Sequence, residues 1–410
     1  MFTLLSRAAA LAAALLPLSV AAAPLTLEAA LDLAVQRSEL ARAARAGLAG
    51  ASESARAAGQ LPDPTLRAGV DNLPVTGADR GHTARDAMTM KRIGLAQEWL
   101  PAGKRLAREA EAEALVRRQA AAVQAAAAET RLQAALAWLD AQFAGEAKKL
   151  ADRTVHHAHE ELEAGRARLA SSTGSSPQAL ALAGARGMAE DEAAEAAQQQ
   201  EAAALALQRW VGVAAGDLAP PVPLPIPTQD DYTAGQPDVV AMQRDLDLAR
   251  QAAVVAASER TPNWTWELSY GQRTGYADML SVGVSIPLQV APDRRQDRET
   301  AARLARVDQA EANLAEAQRA AAAEYQAGLN DAQRLQGRIE RWRVAVVAPA
   351  EQRTAAAIAG YRSNQVPLDS LFEARHAEVE AQRKLLALRR DLAKAQARLA
   401  FKPIVPGDLP

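Results

Sequence analysis

The largest group of potential metal ligands in this sequence lies between residues 156 and 163. His156, His159, Glu160 and Glu163 are spaced so that a helix would place them on one face. Imidazole nitrogens and carboxylate oxygens that converge in this way can bind a metal ion. Histidines on a solvated helix face are the more common case, and no cysteine or second ligand set lies nearby. The cluster is therefore only a weak candidate for a transient metal site.

No other pattern in the chain predicts catalysis. The sequence contains no phosphate-binding loop, nucleophile elbow or zinc-protease signature. It also contains no cysteine, which excludes disulfides and a lipid anchor on an N-terminal cysteine. A formal net charge of -2 gives no basic field that would attract nucleic acid. We expect a protein that is not an enzyme, needs no cofactor and does not bind nucleic acid.

The N-terminus predicts export from the cytoplasm. Arg7 is followed by an apolar run at residues 8–16 and then by small residues, which is typical of a signal peptide cleaved after Ala22. Beyond residue 22, no run of about 18 uncharged apolar residues predicts a transmembrane helix. If the mature protein spans a membrane, it must do so with strands.

The chain predicts long helices arranged as two repeats. Hydrophobic residues make up 49% of the sequence, but only 4% are aromatic, and alanine dominates, which favours close helix packing. A proline-rich linker at 220–235 separates a first repeat at 23–219 from a second at 236–410. The same order is predicted in each repeat, namely a helix (26–58 and 236–260), two strands (64–72 and 88–99; 263–272 and 279–288), a long helix and a return helix (177–211 and 367–401).

The long helices are predicted to end at two hairpin tips. Each would be about 100 Å long at about 1.5 Å per residue. Gly174 and Asn364 are residue types that end helices in the left-handed conformation, and Pro177 and Pro367 suit the first turn of the next helix. The return helices are only half as long, so the helices at 26–58 and 236–260 are expected to stack on them.

The strand pairs alternate between apolar and polar residues. Trp264, Trp266, Leu268 and Tyr270 face one side of the third predicted strand. Near Lys91 the second strand changes phase, which permits a β-bulge. An antiparallel sheet over a soluble core is one interpretation, and lipid against the apolar face is the other. Tryptophans near a strand end and the signal peptide favour lipid. The predicted membrane-facing residues are Trp264, Trp266, Leu268, Tyr270, Leu280, Val282, Val284 and Ile286.

Four strands are too few to close a β-barrel, and unpaired edges in lipid are costly. Two copies would supply eight strands around a filled interior, whereas three would supply twelve around a polar lumen. The sequence therefore predicts a mainly α fold with a small β part, in which a homotrimer forms a twelve-stranded outer-membrane β-barrel.

In the order of its segments, the chain resembles the TolC family of outer-membrane efflux proteins. The likeness is carried by "LTLEAALDLAVQRSELARAARAGLAGASESARAAGQLPDPTL", "QEWLPAGKR", "SIPLQVAPDRR" and "YRSNQVPLDSLFEAR". It implies a trimer with a periplasmic α-helical barrel that docks a periplasmic adaptor and an inner-membrane pump, of the resistance-nodulation-division type. Such a channel gives substrates a passive exit across the periplasm and outer membrane. The segments "GVDNLPVTGADR" and "DAMTMKRIGLAQE" resemble the heavy-metal efflux branch.

The resemblance also implies roles at the tips. Some family members close the periplasmic end with acidic residues, which places Glu373 as a candidate for the pore constriction. A solvated helix face is an equally good interpretation of a single glutamate. The candidate adaptor-docking residues are Gly174, Ser175, Ser176, Pro177, Asn364, Gln365 and Pro367.

Two other functions remain open from the sequence. A soluble periplasmic coiled-coil scaffold or adaptor would have the helical hairpins but would not need aromatic-rich strand pairs. A secreted metal-dependent enzyme would rest only on the histidine cluster.

Overall fold

The structure, a computed structural model, describes residues 24–214, 216–363 and 365–404. The predicted signal peptide at 1–22 and Asn364 lie outside the described residues. The fold is mainly helical with a four-stranded antiparallel sheet, which confirms the predicted mainly α fold with a small β part. The helices are α1 (Leu27–Arg37), α2 (Glu39–Ala58), α3 (Ala102–Ala170), α4 (Ser176–Val211), α5 (Gln229–Gly235), α6 (Pro237–Ser258), α7 (Gln296–Trp342), α8 (Ala348–Arg362) and α9 (Leu368–Phe401). The strands are β1 (Thr65–Asp71), β2 (Met90–Trp99), β3 (Trp264–Arg273) and β4 (Met279–Ser285).

The stretch predicted as one helix at 26–58 is divided at Ser38. This residue has an extended backbone, and its hydroxyl accepts a hydrogen bond from the Ala41 N–H at 3.1 Å, as an N-cap does. The same hydroxyl lies 2.9 Å from the hydroxyl of the buried Thr130 in α3. A helix break at this point is therefore fixed by a contact to a distant part of the chain.

The two long helices differ in continuity. Helix α3 runs unbroken for 69 residues, which corresponds to about 100 Å. Its counterpart is interrupted between α7 and α8 by a π-helical segment, Arg343–Val347, in which the Ala348 N–H donates to the Arg343 carbonyl five residues back. Pro349 follows directly, and its ring excludes the carbonyl that an α-helix would place beside it. The proline therefore explains the shift in hydrogen bonding.

The shorter helices stack on the return helices. The end of α4 packs against α1, where Leu207 and Val211 are fully buried beside Ala34. The end of α9 meets the start of α6, because the Ile404 N–H donates to the Gly235 carbonyl. Helix α5 forms the last part of the segment that we predicted as an extended linker. Two columns result, one of α4, α1 and α2 and one of α9 and α6.

These columns and the long helices form one layer. Helix α3 packs between the two columns, and α7 and α8 pack on the far side of the α9–α6 column. The layer therefore has two open edges, formed by α4 and α2 on one side and by α7 and α8 on the other. No helix in the described chain is both long and apolar enough to cross a membrane.

The strands pair in sequence order, β1-β2-β3-β4, and each neighbouring pair is antiparallel. The β1–β2 and β2–β3 registers pair residues one to one along β2, so the bulge that we considered near Lys91 does not form. Strands β1 and β4 form the two edges of the sheet.

Candidate functional site

One face of the sheet is apolar and exposed across its whole width. Residues that pair directly in antiparallel strands share a face, and the register aligns Leu66, Leu95, Leu268 and Val282 in one row. Val282 is 75% exposed, although valine is usually buried. Ile286 lies one residue beyond the end of β4. The eight residues predicted to face a membrane are all exposed, and they are Trp264, Trp266, Leu268, Tyr270, Leu280, Val282, Val284 and Ile286.

The opposite face of the sheet carries charges and small residues. Arg67 and Glu267 form an ion pair at 2.9 Å between β1 and β3, across Gly94 of β2. That glycine leaves little room, because an added Cβ would lie 2.6 Å from the Cβ of Ser269. The two faces of the sheet therefore suit different surroundings, one apolar and one aqueous.

A buried lysine connects the sheet to the helices. Lys104, in the first turn of α3, is only 3% exposed, and its ammonium group donates to Glu259 at 2.7 Å and to Asn263 at 3.0 Å. Asn263 in turn donates to Glu98 of β2 at 2.7 Å. Burial raises the pKa of Glu259, but hydrogen bonds and charges from Lys104 and Arg108 outweigh it and leave that pKa below its usual range. The network fixes where α3 leaves the sheet.

Arg260, the residue after Glu259, fixes the start of the second long helix in a similar way. The Arg260 guanidinium donates two hydrogen bonds of 2.6 Å to Asp297 in the first turn of α7. Sequence analysis assigned no role to Lys104. Nothing in the sequence indicates its partner, because Glu259 lies 155 positions away.

At the first tip, the left-handed residue is not the one that we predicted. Helix α3 ends at Ala170, and Ser172 has a φ of 60°, whereas Gly174 does not adopt the left-handed conformation. Gly174 is instead required by space, because an added Cβ would lie 2.9 Å from the Leu169 nitrogen. Ser175 caps α4, and Ser176 and Pro177 form its first turn, as expected for Pro177.

At the second tip, the turn closes on a glycine. The backbone N–H groups of Gln365 and Val366 both donate to the Gly360 carbonyl, at 2.8 and 3.2 Å. Pro367 is the N-cap of α9 rather than part of its first turn, which corrects the prediction. Within the described residues, Gln365 and Pro367 are both exposed at the end of the molecule, as Ser175, Ser176 and Pro177 are.

The two tips pack against each other. Leu162 and Leu182 from the first hairpin contact Leu368 and Leu371 from the second in one buried cluster. The side-chain amide of Gln178 also donates to Asp369 at 2.9 Å. The hairpins therefore form a single end of the molecule.

A buried ion pair links the hairpins a short distance from the tips. Arg375 of α9 donates to Glu161 of α3 at 2.8 Å, and the two side chains are 20% and 11% exposed. Burial raises the pKa of Glu161 to about 7, although the Arg375 hydrogen bond and charge oppose this effect. A groove of about 400 Å³ between α3, α4 and α9 runs past this pair and past Glu373.

Glu373 itself lies on the surface. Its side chain is 73% exposed, and its carboxylate lies 3.6 Å from the guanidinium of Arg353 in α8. An exposed pair of this kind holds neither side chain firmly. The Glu373 carboxylate is therefore mostly exposed to solvent.

The predicted metal ligands do not converge. Glu160 contacts His156 at 3.4 Å and His157 at 3.3 Å, while His159 and Glu163 take no part in this contact. The hydrogen bond with His157 lowers the pKa of Glu160. Across residues 24–214, 216–363 and 365–404, no three histidines, cysteines or acids are placed to hold a metal ion. The exposed helix face lets these side chains spread into water, so the structure does not bring the candidate ligands together.

Comparisons with known proteins identify the fold. No protein-family model and no curated protein matches this sequence. The solved structure of the outer membrane protein VceC from Vibrio cholerae has a TM-score of 0.73 at 19% identity, covering 92% of this chain and 96% of that chain. The outer-membrane channel OprN has a TM-score of 0.75 at 17% identity, with 92% and 90% covered. The CmeC outer membrane channel of Campylobacter jejuni has a TM-score of 0.73 at 12% identity, with 92% and 85% covered. The chain shares the fold of these channels.

Proposed function

We propose that this chain is one protomer of a trimeric outer-membrane channel in an efflux system, and that it catalyses no reaction. The observation that carries the proposal is the exposed apolar face, which spans all four strands of a sheet with two unpaired edges. In water that face would be costly to expose, and in a bilayer it would be favourable. The printed descriptions of VceC, OprN and CmeC as outer-membrane proteins or channels support the same function.

The strand order supports closure by identical copies. Because β1 to β4 alternate in direction, β1 of one copy can pair antiparallel with β4 of the next. Each unpaired backbone group would otherwise cost several kcal/mol in lipid. Three copies supply twelve strands, enough to leave a polar lumen lined by the face that carries Arg67 and Glu267.

The helices extend this passage through the periplasm. Their tips, including Gly174, Ser175, Gln365 and Pro367, would dock a periplasmic adaptor that connects to an inner-membrane pump of the resistance-nodulation-division type. Residues 1–22 would direct export. The trimer would provide a passive exit, and the pump would supply the energy. The soluble coiled-coil scaffold remains a poorer explanation, since it has no use for an exposed aromatic sheet face.

Neighbouring residues on β4 provide a matched test of the membrane-facing assignment. Val282→Arg places a charge on the apolar face, and Ser281→Arg places the same charge on the opposite face. An arginine side chain that faces lipid near the bilayer centre costs about 2–4 kcal/mol. We expect Val282→Arg to reduce the amount of trimer recovered from outer membranes, while Ser281→Arg leaves assembly intact and alters single-channel conductance. Equal effects of the two substitutions, or a wild-type chain that stays monomeric and dissolved without detergent, would contradict the proposal.

We further propose that heavy-metal cations are among the substrates and that three Glu373 carboxylates form a cation-selective constriction. Support comes from the exposed position of Glu373 at the tip end and from the segments that resemble the heavy-metal branch. Glu373→Gln should lower the cation-to-anion permeability ratio of the channel in planar bilayers, and Glu373→Asp should preserve it. An unchanged ratio in Glu373→Gln would remove the constriction role without affecting the channel assignment.

A further inference from the structure

An acidic pocket opens on the side of the molecule formed by α6 and α7. It has a volume of about 460 Å³ and is lined by Gln236, Asp238, Met242, Asn313, Glu316 and Glu324. We call it the α7 pocket. Within the described chain, no three acids converge as metal ligands, so a bare metal ion is not its expected occupant.

One buried group in the α7 pocket lacks a partner. Gln236 is only 3% exposed, and its side-chain NH₂ donates to Glu324 at 3.0 Å, but its carbonyl oxygen Oε1 accepts no hydrogen bond. A buried acceptor without a donor is costly. Glu324 is also paired with Lys402, and Glu316 with Arg319. Asp238 contributes a carboxylate with no cationic partner among the described residues. A positively charged hydrogen-bond donor would satisfy both the Gln236 oxygen and the Asp238 carboxylate.

The opposite edge of the helical layer offers such groups. Helix α2 packs on α3, and its outer side is exposed and carries Arg42 and Arg45. Arg45 has no acidic partner in the described chain. Among the described residues, the acid paired with Arg42 is Glu39 of its own helix, and both side chains are at least 70% exposed, so this pair is weak. A guanidinium presents several N–H donors and can satisfy a carboxylate and an amide oxygen together.

The chain order brings these two edges together in a ring of copies. Strand β1 follows α2, and strand β4 precedes α7. If β1 of one copy pairs with β4 of the next, α2 of the first copy must lie beside α7 of the second. This step rests on the proposed trimeric channel.

Contacts within the chain show that the arginines and the pocket lie at the same height. The contact between Ser38 and Thr130 aligns α2 with α3, which places Arg42, one turn further on, level with Ala126. The ion pair between Arg118 and Asp245 aligns α3 with α6, which places Asp238 level with Ala126 as well.

Rotation about an axis parallel to the helices preserves height. Arg42 of one copy would therefore meet Asp238 of the next to within about one helical turn, roughly 5 Å, a distance that an arginine side chain covers. We propose that the α7 pocket is an inter-subunit site that is incomplete in one chain. A second copy of this chain supplies Arg42 to Asp238 and Gln236, and Arg45 to the Glu316 end of the pocket.

Engineered cysteines test the contact cleanly, because the chain contains no native cysteine. The double variant Arg42→Cys with Asp238→Cys, treated in the membrane with a short thiol-specific cross-linker, should give covalent dimers and trimers on a denaturing gel. The matched control is Arg42→Cys with Asp331→Cys, since Asp331 is exposed but lies about 10 Å or more lower along α7. Cross-linking of the control alone, or of neither pair in a trimeric sample, would overturn the proposal.

A charge exchange provides a second readout. Asp238→Arg should weaken the trimer, so that the protein concentration at which half of it dissociates in detergent rises by about three- to tenfold. Adding Arg42→Asp should restore most of the lost trimer stability. If the double variant is no more trimeric than Asp238→Arg, the pairing is wrong. If the wild-type chain forms no trimer by native mass measurement, the proposed function fails as well. A wild-type chain that forms trimers, together with an Arg42→Cys, Asp238→Cys variant that forms trimers but does not cross-link, would overturn only this contact.

Discussion

The ion pair between Glu161 and Arg375 predicts an unusual dependence of stability on pH. It joins the first hairpin to the second in a largely buried position, with 2.8 Å between the two charged groups. Burial outweighs the attraction of Arg375 and raises the pKa of Glu161 to about 7. The perturbation that isolates this group is Glu161→Gln, because glutamine keeps the shape and can still accept a hydrogen bond from Arg375.

The sign follows from the two pKa values. Glu161 has an ordinary pKa of 4.5 and a folded-state pKa of about 7, so the folded protein holds the proton more tightly. Its contribution to stability is therefore fully present below about pH 4.5 and is lost as the pH rises toward 7. At about 1.4 kcal/mol for each tenfold change in proton affinity, the loss would be about 3 kcal/mol. Partial contact with water reduces the expected effect to about 1–3 kcal/mol.

The assay is unfolding of the helical circular dichroism signal in detergent at pH 5 and pH 8. We expect wild-type protein to lose more stability than Glu161→Gln between these two values, and the difference between the proteins isolates this carboxyl group. Both proteins carry the same other ionisable groups, so the contributions of those groups cancel in the difference. Glu163→Gln is the matched control, because Glu163 is on the same helix and forms an exposed ion pair with Arg166. Identical pH dependence in wild-type protein and Glu161→Gln would refute the reasoning.

Three further predictions concern the framework of the molecule. Lys104→Met should lower the free energy of unfolding by about 3 kcal/mol, because it leaves the Glu259 carboxylate and the Asn263 amide without their buried donor. The control Lys148→Met removes a more exposed ion pair with Asp152 and should change that free energy by less than about 0.5 kcal/mol. Gly165→Ala should destabilise by about 1–3 kcal/mol, since its Cβ would lie 2.3 Å from a leucine of α4. Gly184→Ala, with open space around it, should stabilise by up to about 1 kcal/mol. Ser172→Gly should stabilise the first tip by about 0.5–1 kcal/mol by relieving a left-handed serine, and denaturant titration measures all of these changes.

The sequence predicted the sheet well because each strand separates two different surroundings. Trp264, Trp266, Leu268 and Tyr270 alternate with polar residues because successive side chains point to opposite faces of the sheet. This pattern can be seen within a single strand, without knowledge of its neighbours. The strand order and the exposure of the apolar face agree with it. The supposed bulge near Lys91 was wrong, because Lys91 simply lies on the apolar face of an unbroken register.

The details that the sequence missed depend on contacts between distant residues. Ser38 ends α1 because Thr130 lies beside it, and no local pattern announces that contact. At the first tip, the chain places the left-handed conformation on Ser172 and uses Gly174 for close approach. Glycine is permissive in both respects, so its presence in the sequence cannot distinguish the two uses.

The candidate metal ligands do not converge for a related reason. Helical spacing places His156, His159, Glu160 and Glu163 on one side of α3, but spacing does not make long side chains converge. Convergence requires neighbouring elements that confine them, and this part of α3 faces solvent. The buried pair of Glu161 and Arg375, by contrast, is confined between two helices, yet its members lie 214 positions apart.

The sheet and the helical layer each have two open edges, and each edge of the sheet lies above an edge of the helical layer. The β1 edge continues into α2, and the β4 edge continues into α7. A contact of one edge with the opposite edge of another copy is heterologous, and such contacts form a ring only if the rotation closes. A ring that closes satisfies the strands and the helices in the same step, whereas an open chain of copies leaves both kinds of edge exposed at its ends. In the proposed channel the edge groups would face lipid, where their exposure is costly, so we expect membrane insertion and ring closure to occur together rather than as separate steps.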